Sequence, residues 1–269
     1  MDENKLAKIK NAIKNHFEDS PEIYVAFEEK YGFFKELNAR LATFIEVKPG
    51  SRILDIGCGA GASSKQMLDH IPDSCVVGLD NSPAMLRAAR LRYGESTRLS
   101  FVEGDAASLA NLVCGPFDAV VYSASIFLIP DYQQSLRQAS ELLNRDGVLG
   151  VTFMDGVYDA KGQNFLAIAD QSLGEGISLK KAVTLDELLA FFQKLFRNVR
   201  SKVENFELSR DALKEFYSVP AMSAGLFPKF PYPERLVKVQ RVFSHAPQER
   251  LFFRWVLIAG RKTPQSDTH

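Results

Sequence analysis

Cysteine and histidine are scarce in this chain, three and four among 269 residues, and their placement excludes more than their number does. Cys58, Cys75 and Cys114 stand in unrelated contexts with no CxxC pair. The sequence therefore offers neither a disulfide framework nor a zinc site, and no metal centre is expected. Charge of one sign is also missing. Lys plus Arg equals Asp plus Glu at 33 each, which removes the bulk positive field that gathers nucleic acid or an anionic membrane. No apolar run is long enough to span a bilayer, and the opening MDENKLAKIK lacks the apolar core of a signal peptide. The expectation is a cytoplasmic protein that acts on a small molecule, as a monomer or homodimer, without nucleic-acid or membrane partners. At 46% hydrophobic content over 269 residues, the chain can bury a sizeable core as one elaborated domain.

What the chain does carry is the stretch RILDIGCGAGASS, Arg52 to Ser64. Arg52 to Ile56 is a short apolar run of strand type. Gly57, Gly59 and Gly61 break it, and a helical pattern begins at about Ser63. Glycines there let a ligand lie against the backbone, because no Cβ obstructs it and positive φ costs little. The next apolar run, Cys75 to Leu79, ends in Asp80, the spacing at which a second-strand carboxylate grips ribose hydroxyls. A nucleoside-containing cofactor is expected. Gly57-x-Gly59-x-x-Ala62 also satisfies a dinucleotide pattern, which keeps a nucleotide-dependent oxidoreductase open as an alternative. Asp55 weighs against it: a carboxylate at the end of the first strand repels a pyrophosphate and accepts from an amino-acid ammonium.

With ILDIGCGAG in place, the sequence resembles the class I S-adenosylmethionine (SAM) methyltransferases, whose first motif has the form [V/I/L]-L-D-[I/V/L]-G-[C/S/T]-G-x-G. The resemblance continues through VVGLDNSPAMLRAAR, FVEGDAASL, FDAVVYSASIFLI and LLNRDGVLGVTF, ending at Phe153. It implies an α/β fold, a doubly wound seven-stranded sheet, mostly parallel with its last strand antiparallel, with SAM as cofactor and S-adenosylhomocysteine (SAH) as product. Carried onto this chain, it implies a cofactor turn at Asp55, Gly57, Cys58, Gly59 and Gly61. Asp80 and Asn81 come to the ribose, and Met85 to the adenine face. Asp105 accepts from the adenine amine while the Ala106 N–H reaches a ring nitrogen, and Ser123 stands where the methyl group is presented. Tyr24 and Tyr31 are candidates at the methionine end, although Tyr31-Gly32 replaces the commoner YD and both rings also fit ordinary packing. Enzymes of this fold that methylate base amines carry [N/D/S]-P-P-[Y/F] after the fourth strand. Here the sequence is SASI, which disfavours a nucleobase acceptor. The cysteines begin or precede strands or lie in the SAM turn, so the arsenite-methylating branch is discounted.

Along the chain, 1–48 reads as an N-terminal helical cap, with helices at Lys5–Phe17 and Ile23–Ile45, the second interrupted near Gly32. Residues 49–208 form the SAM-binding core. Ser82-Pro83 starts a helix over Ala84–Tyr93, Leu99–Val102 and Phe117–Tyr122 are strands, and Tyr132–Leu143 is a helix stopped by Gly147 before a strand at Val148–Phe153. Asp155–Glu175 reads as a loop with one short helix, Thr184–Phe196 as a capped helix, and Val199–Leu208 as an edge strand. Residues 209–249, rich in aromatics and prolines, are expected to be a helical insertion, either a lid over the substrate or a satellite core or dimer contact. Within it, Arg235–Arg241 reads as a solvated basic helix face. Residues 250–262 hold the final strand, and 263–269 form a polar tail expected to be disordered.

Methyl transfer requires alignment and exclusion of water more than any reactive side chain. A hydroxyl acceptor profits from a general base. His70 sits in the helix after the glycine turn and His269 ends the chain, which leaves His16, His245, Tyr24 and Tyr217 as candidates and the catalytic group open. The resemblance implies a methyltransferase acting on a small, partly apolar acceptor. A non-catalytic SAM-fold binding protein remains the further alternative.

Overall fold

A computed structural model describes residues 2–179, 182–245 and 250–262. The expected tail 263–269, with His269, lies outside these. The chain opens with three helices, α1 (Glu3–Glu18), α2 (Pro21–Tyr31) and α3 (Phe33–Ile45). Gly32 separates the last two, because its φ of 60° ends α2 and starts α3 on a new axis. The Glu28 carboxylate, buried, accepts from the first backbone N–H groups of α3, Phe34 N at 2.8 Å and Lys35 N at 2.7 Å. On α3, Leu37, Leu41 and Ile45 recur every fourth residue and are fully buried, the stripe of a helix laid on a sheet.

There follow β1 (Arg52–Ile56), α4 (Ala62–His70), β2 (Cys75–Asp80), α5 (Pro83–Tyr93), β3 (Leu99–Glu103) and β4 (Phe117–Tyr122). Ser82 caps α5 by accepting from Met85 N at 3.1 Å, with Pro83 in the first turn. Next come α6 (Tyr132–Leu142), β5 (Leu143–Tyr158), α7 (Phe165–Leu173), α8 (Leu185–Leu195) and β6 (Phe196–Leu208). The Thr184 and Glu187 capping box of α8 is formed on both sides. The chain closes with α9 (Arg210–Ser218), α10 (Pro220–Leu226), α11 (Tyr232–Ser244) and β7 (Leu251–Lys262).

The strands form a seven-stranded sheet in the order β3-β2-β1-β4-β5-β7-β6. Strands β1 to β5 pair parallel, and β7 runs antiparallel between β5 and β6. The strand order reverses between β1 and β4, which opens a crevice at their carboxyl ends where open α/β sheets hold ligands. Strand β4 is buried from Ala119 to Tyr122, as a strand covered on both faces must be.

Three expectations change. Strand β5 does not stop at Phe153. Gly156, Val157 and Tyr158 pair with Arg254, Phe253 and Phe252 across a bulge after Met154, because long β7 supplies partners and Val157 gains full burial. Gly147 is no helix stop either: α6 ends on Leu143 in extended backbone, and Gly147 lies inside the β5 range, where a Cβ would stand 2.9 Å from Leu143 Cδ2. Arg235 is not on a solvated face. It is 7% exposed and donates to the Phe230 carbonyl at 2.6 Å and the Pro220 carbonyl at 3.4 Å.

Helices α9 to α11 share an aromatic core with α2, α3 and the start of β7. Phe33 stacks on Phe253 at 5.2 Å, Phe216 meets Phe27 at 5.5 Å, and Tyr217 stacks on Phe243 at 5.6 Å. Burial of each such ring contributes roughly 1.5–3 kcal/mol, enough for this cluster to hold the helices against the sheet edge.

Candidate functional site

The turn between β1 and α4 is shaped by its glycines. Gly57, Gly59 and Gly61 have φ of 73°, 52° and 82°, values that favour glycine. Gly57 and Cys58 both donate to the Leu79 carbonyl, at 2.7 and 3.1 Å, which lays the turn against the end of β2. A Cβ on Gly57 would come 2.4 Å from Ser125 Cβ, and one on Gly59 would come 3.1 Å from Met85 Cε. Gly61 has a different duty. Its missing Cβ admits Ala89, Tyr93 and Phe101, so it packs α4 against α5.

A cavity opens in front of this turn. Its walls include Gly57, Cys58, Gly59, Asp80, Asn81, Met85, Asp105, Ala106 and Ser123, nine of the residues expected from the sequence. Tyr24 also lines it, stacked on Phe34 at 5.1 Å, and burial raises its phenol well above the usual range. Burial likewise keeps the Cys58 thiol protonated, reinforced by the charges of Asp80 and Asp55. Asp80 accepts from Gly59 N at 2.8 Å and Ser82 N at 2.9 Å, which fixes its carboxylate at the crevice. Its pKa is raised, chiefly by desolvation.

Asp55 stands behind the wall, fully buried. Ser63 and Ser64 hydroxyls donate to its Oδ2 at 2.5 and 2.6 Å, while Oδ1 has no hydrogen-bond partner among the described residues. Desolvation lifts its pKa to about 6. A buried carboxylate oxygen without a partner is an open position for a donor.

Several expected residues are not brought to this cavity. Tyr31 turns to Phe27 at 5.2 Å, beneath Lys30. Tyr217 is buried in the aromatic core, and burial pushes its hydroxyl upward, so it supplies no base. His245 is exposed, its Nδ1 on the Arg241 carbonyl at 2.8 Å. His16 lies on α1 with its pKa lowered, first by desolvation and then by the Arg235 charge. No histidine lines the cavity among the described residues.

Phe216 from α9 and Met222 from α10, within the insertion expected to be a lid, also line the cavity. Other wall residues went unnoticed in the sequence: Lys10, Ile13 and Phe17 come from α1, Asp131 from the start of α6, Phe127 from the segment after β4, Met154 from β5 and Trp255 from β7. Lys10 Nζ sits 2.7 Å from Asp105 Oδ2 and 2.7 Å from Asp131 Oδ2. Asp105 therefore has both oxygens engaged, since Oδ1 accepts from Ala107 N at 2.8 Å. At the other end of α1, Glu18 accepts from the Ser82 hydroxyl at 2.7 Å. Helix α1 thus spans the cavity from the end of β3 to the end of β2, tied at both sides. Lys5, Lys8 and Lys10 in MDENKLAKIK gave no cue as to which one would turn inward.

The walls divide by character. Three carboxylates, Asp80, Asp105 and Asp131, face one ammonium, Lys10, near the glycine turn, whereas Tyr24, Phe34, Phe127, Met154, Phe216, Met222 and Trp255 form the other end. A cationic ligand with a ribose and an ammonium fits the first half. The glycine turn leaves backbone room for a ligand, and the sulfonium and ammonium of SAM would suit acidic walls of this kind.

Residues 53–147 match a family model described as a methyltransferase domain. A trans-aconitate 2-methyltransferase of Deinococcus radiodurans is 32% identical over 127 residues, 46% of this chain and 47% of that protein. Nocamycin O-methyltransferase of Saccharothrix syringae is 35% identical over 127 residues, 45% of this chain and 44% of that one. The chain thus spans about half the length of the curated relatives it matches. Among solved structures, Haemonchus contortus phosphoethanolamine N-methyltransferase 2, in complex with phosphomonomethylethanolamine and SAH, has a TM-score of 0.54 at 21% identity. That likeness covers 86% of this chain and 53% of the other, and it speaks to the fold.

Proposed function

The chain belongs to the class I SAM-dependent methyltransferases by its fold and its motifs, and from that premise we propose that it transfers the SAM methyl group to a small, partly apolar acceptor, releasing SAH. The observation that carries this reading is the division of the cavity into an acidic end at the glycine turn and an aromatic end under α9 and α10. In this reading Asp80 accepts from the ribose hydroxyls, and Asp55 Oδ1 receives the ammonium, directly or through water. Residues 209–245 serve as the lid, since Phe216 and Met222 close the aromatic end; 246–249 of the expected insertion lie outside the described residues.

Bound SAM supplies an electrophilic methyl group on a sulfonium. The chain's share is to orient the acceptor along that axis and to keep water out. Alignment of this kind can supply roughly 7–11 kcal/mol. With no histidine on the walls and the Tyr24 hydroxyl held protonated by burial, the reading requires a nucleophile that ionises easily by itself, such as an acidic phenol, an enol or a thiol.

The relatives named for trans-aconitate suggest a different acceptor, a tricarboxylate. The walls disfavour it here. Such an anion needs several free cations, and the one lysine on the cavity wall among the described residues is already held between Asp105 and Asp131. The same charge balance disfavours the pyrophosphate of a dinucleotide. The test is transfer of radiolabelled methyl from SAM to a panel of acidic phenols and to trans-aconitate, assayed side by side. Label in the phenol panel supports the reading, and preferential labelling of trans-aconitate overturns it.

A further inference from the structure

We infer that Trp255 reads the acceptor: its indole N–H donates a hydrogen bond to an oxygen of the bound molecule, so that the substrate class is a flat, neutral compound bearing a carbonyl, ether or hydroxyl oxygen near its apolar body. This deepens, and rests on, the methyltransferase reading above.

Trp255 lies on β7 opposite Met154 of β5, is 1% exposed, and lines the cavity. Its Nε1 is buried without a hydrogen-bond partner among the described residues. An indole N–H donates and never accepts, and buried donors are nearly always paired. The rings around it are Phe253 at 5.3 Å, Phe33 at 5.8 Å and Phe127 at 6.0 Å, none of which carries an oxygen or nitrogen acceptor. On the cross-strand side stands Glu204, yet no hydrogen bond joins it to the indole, so the N–H has no acceptor among the described residues on a side chain that lines the cavity.

The unpartnered atoms on and behind the walls sort by position. Asp55 Oδ1 and Asp131 Oδ1 are open acceptors at the acidic end, and Trp255 Nε1 is an open donor at the aromatic end. The first two suit a cationic cofactor. The third suits a neutral oxygen: a hydrocarbon would leave the N–H unsatisfied, and an ammonium would present a donor to a donor. A ligand that satisfies it gains over its oxygen-free isostere what the empty position withholds.

The chain has a single tryptophan, so its indole ¹H–¹⁵N resonance is one unambiguous peak. Acetophenone and α-methylstyrene are the probes, alike in shape and differing in C=O against C=CH₂, titrated into the SAH-saturated protein. The inference expects acetophenone to bind about fivefold or more tightly than α-methylstyrene, with a downfield shift of the indole proton only for the ketone. In Trp255→Phe, which keeps an aromatic ring and loses the donor, the preference should shrink to less than about twofold. Equal affinities, no binding of either probe, or an indole peak that moves alike for both would overturn it. The wild-type spectra decide the matter even if the variant fails to fold. Failure of SAH to bind the wild-type protein is a separate result and would strike the methyltransferase reading itself.

Discussion

Replacing Asp55 by Asn keeps the shape of the side chain and an oxygen for the Ser63 and Ser64 hydroxyls, but removes the charge buried behind the glycine turn. Desolvation, first among the causes, lifts the carboxyl from an ordinary 3.8 to about 6. The folded protein then holds this proton more tightly than the unfolded chain does. Stability contributed by the protonated form is fully present below about pH 4 and is lost as pH rises to about 6, a change of roughly 3 kcal/mol at about 1.4 kcal/mol per tenfold in proton affinity. Asp80 is raised in the same direction and its charge adds to the Asp55 shift, so the difference between wild type and Asp55→Asn reports the Asp55 carboxyl together with its coupling to Asp80. Urea unfolding at a series of pH values should show the wild type losing stability relative to the variant across that interval, with no further divergence above it. SAH affinity should move oppositely, rising with pH through about 6 in the wild type, because only the carboxylate holds an ammonium, and much less in the variant. Superimposable pH profiles for the two proteins in both measurements would refute the reasoning.

The latch on α1 gives a second prediction. Lys10→Met removes two partly buried ion pairs, worth about 1–2 kcal/mol together, and should speed SAH association and dissociation severalfold in stopped-flow traces; unchanged rates would mean α1 does not gate the cavity. A third compares two glycines of similar φ. Gly57→Ala, with φ of 73° and a Cβ 2.4 Å from Ser125, should cost at least about 2 kcal/mol. Gly50→Ala, with φ of 78° and open space around it, should cost only about 1 kcal/mol. Equal losses in thermal unfolding would show that contact with Ser125 is not what the turn requires.

The sheet and its cofactor end were legible in the sequence because they are local. The strand, turn and helix from Arg52 onward, the acid at Asp80 and the cap at Ser82 each announce themselves within a few residues, and the strands β1 to β4 fall where the apolar runs do. What could not be read depends on partners far along the chain. Tyr158 becomes strand only because Phe252 lies beside it, and Arg235 is buried because two carbonyls of the same insertion wait for it. Tyr24 and Tyr31 sit seven residues apart in the sequence, yet Gly32 and the packing of Phe27 and Phe34 send one to the cavity and the other away from it. Lys10 and Trp255 carried no motif. Each gained its meaning from what stands opposite, Asp105 and Asp131 in one case and an empty hydrogen-bond position in the other.

The most direct test of the account is calorimetric titration of SAM and SAH into the purified protein, with NADH as control and Asp80→Ala as the matched variant. The account predicts micromolar binding of both adenosyl ligands, none of NADH, and a loss of about tenfold or more when the Asp80 carboxylate is removed. Binding of NADH in preference to SAH, or adenosyl affinity indifferent to Asp80, would contradict it.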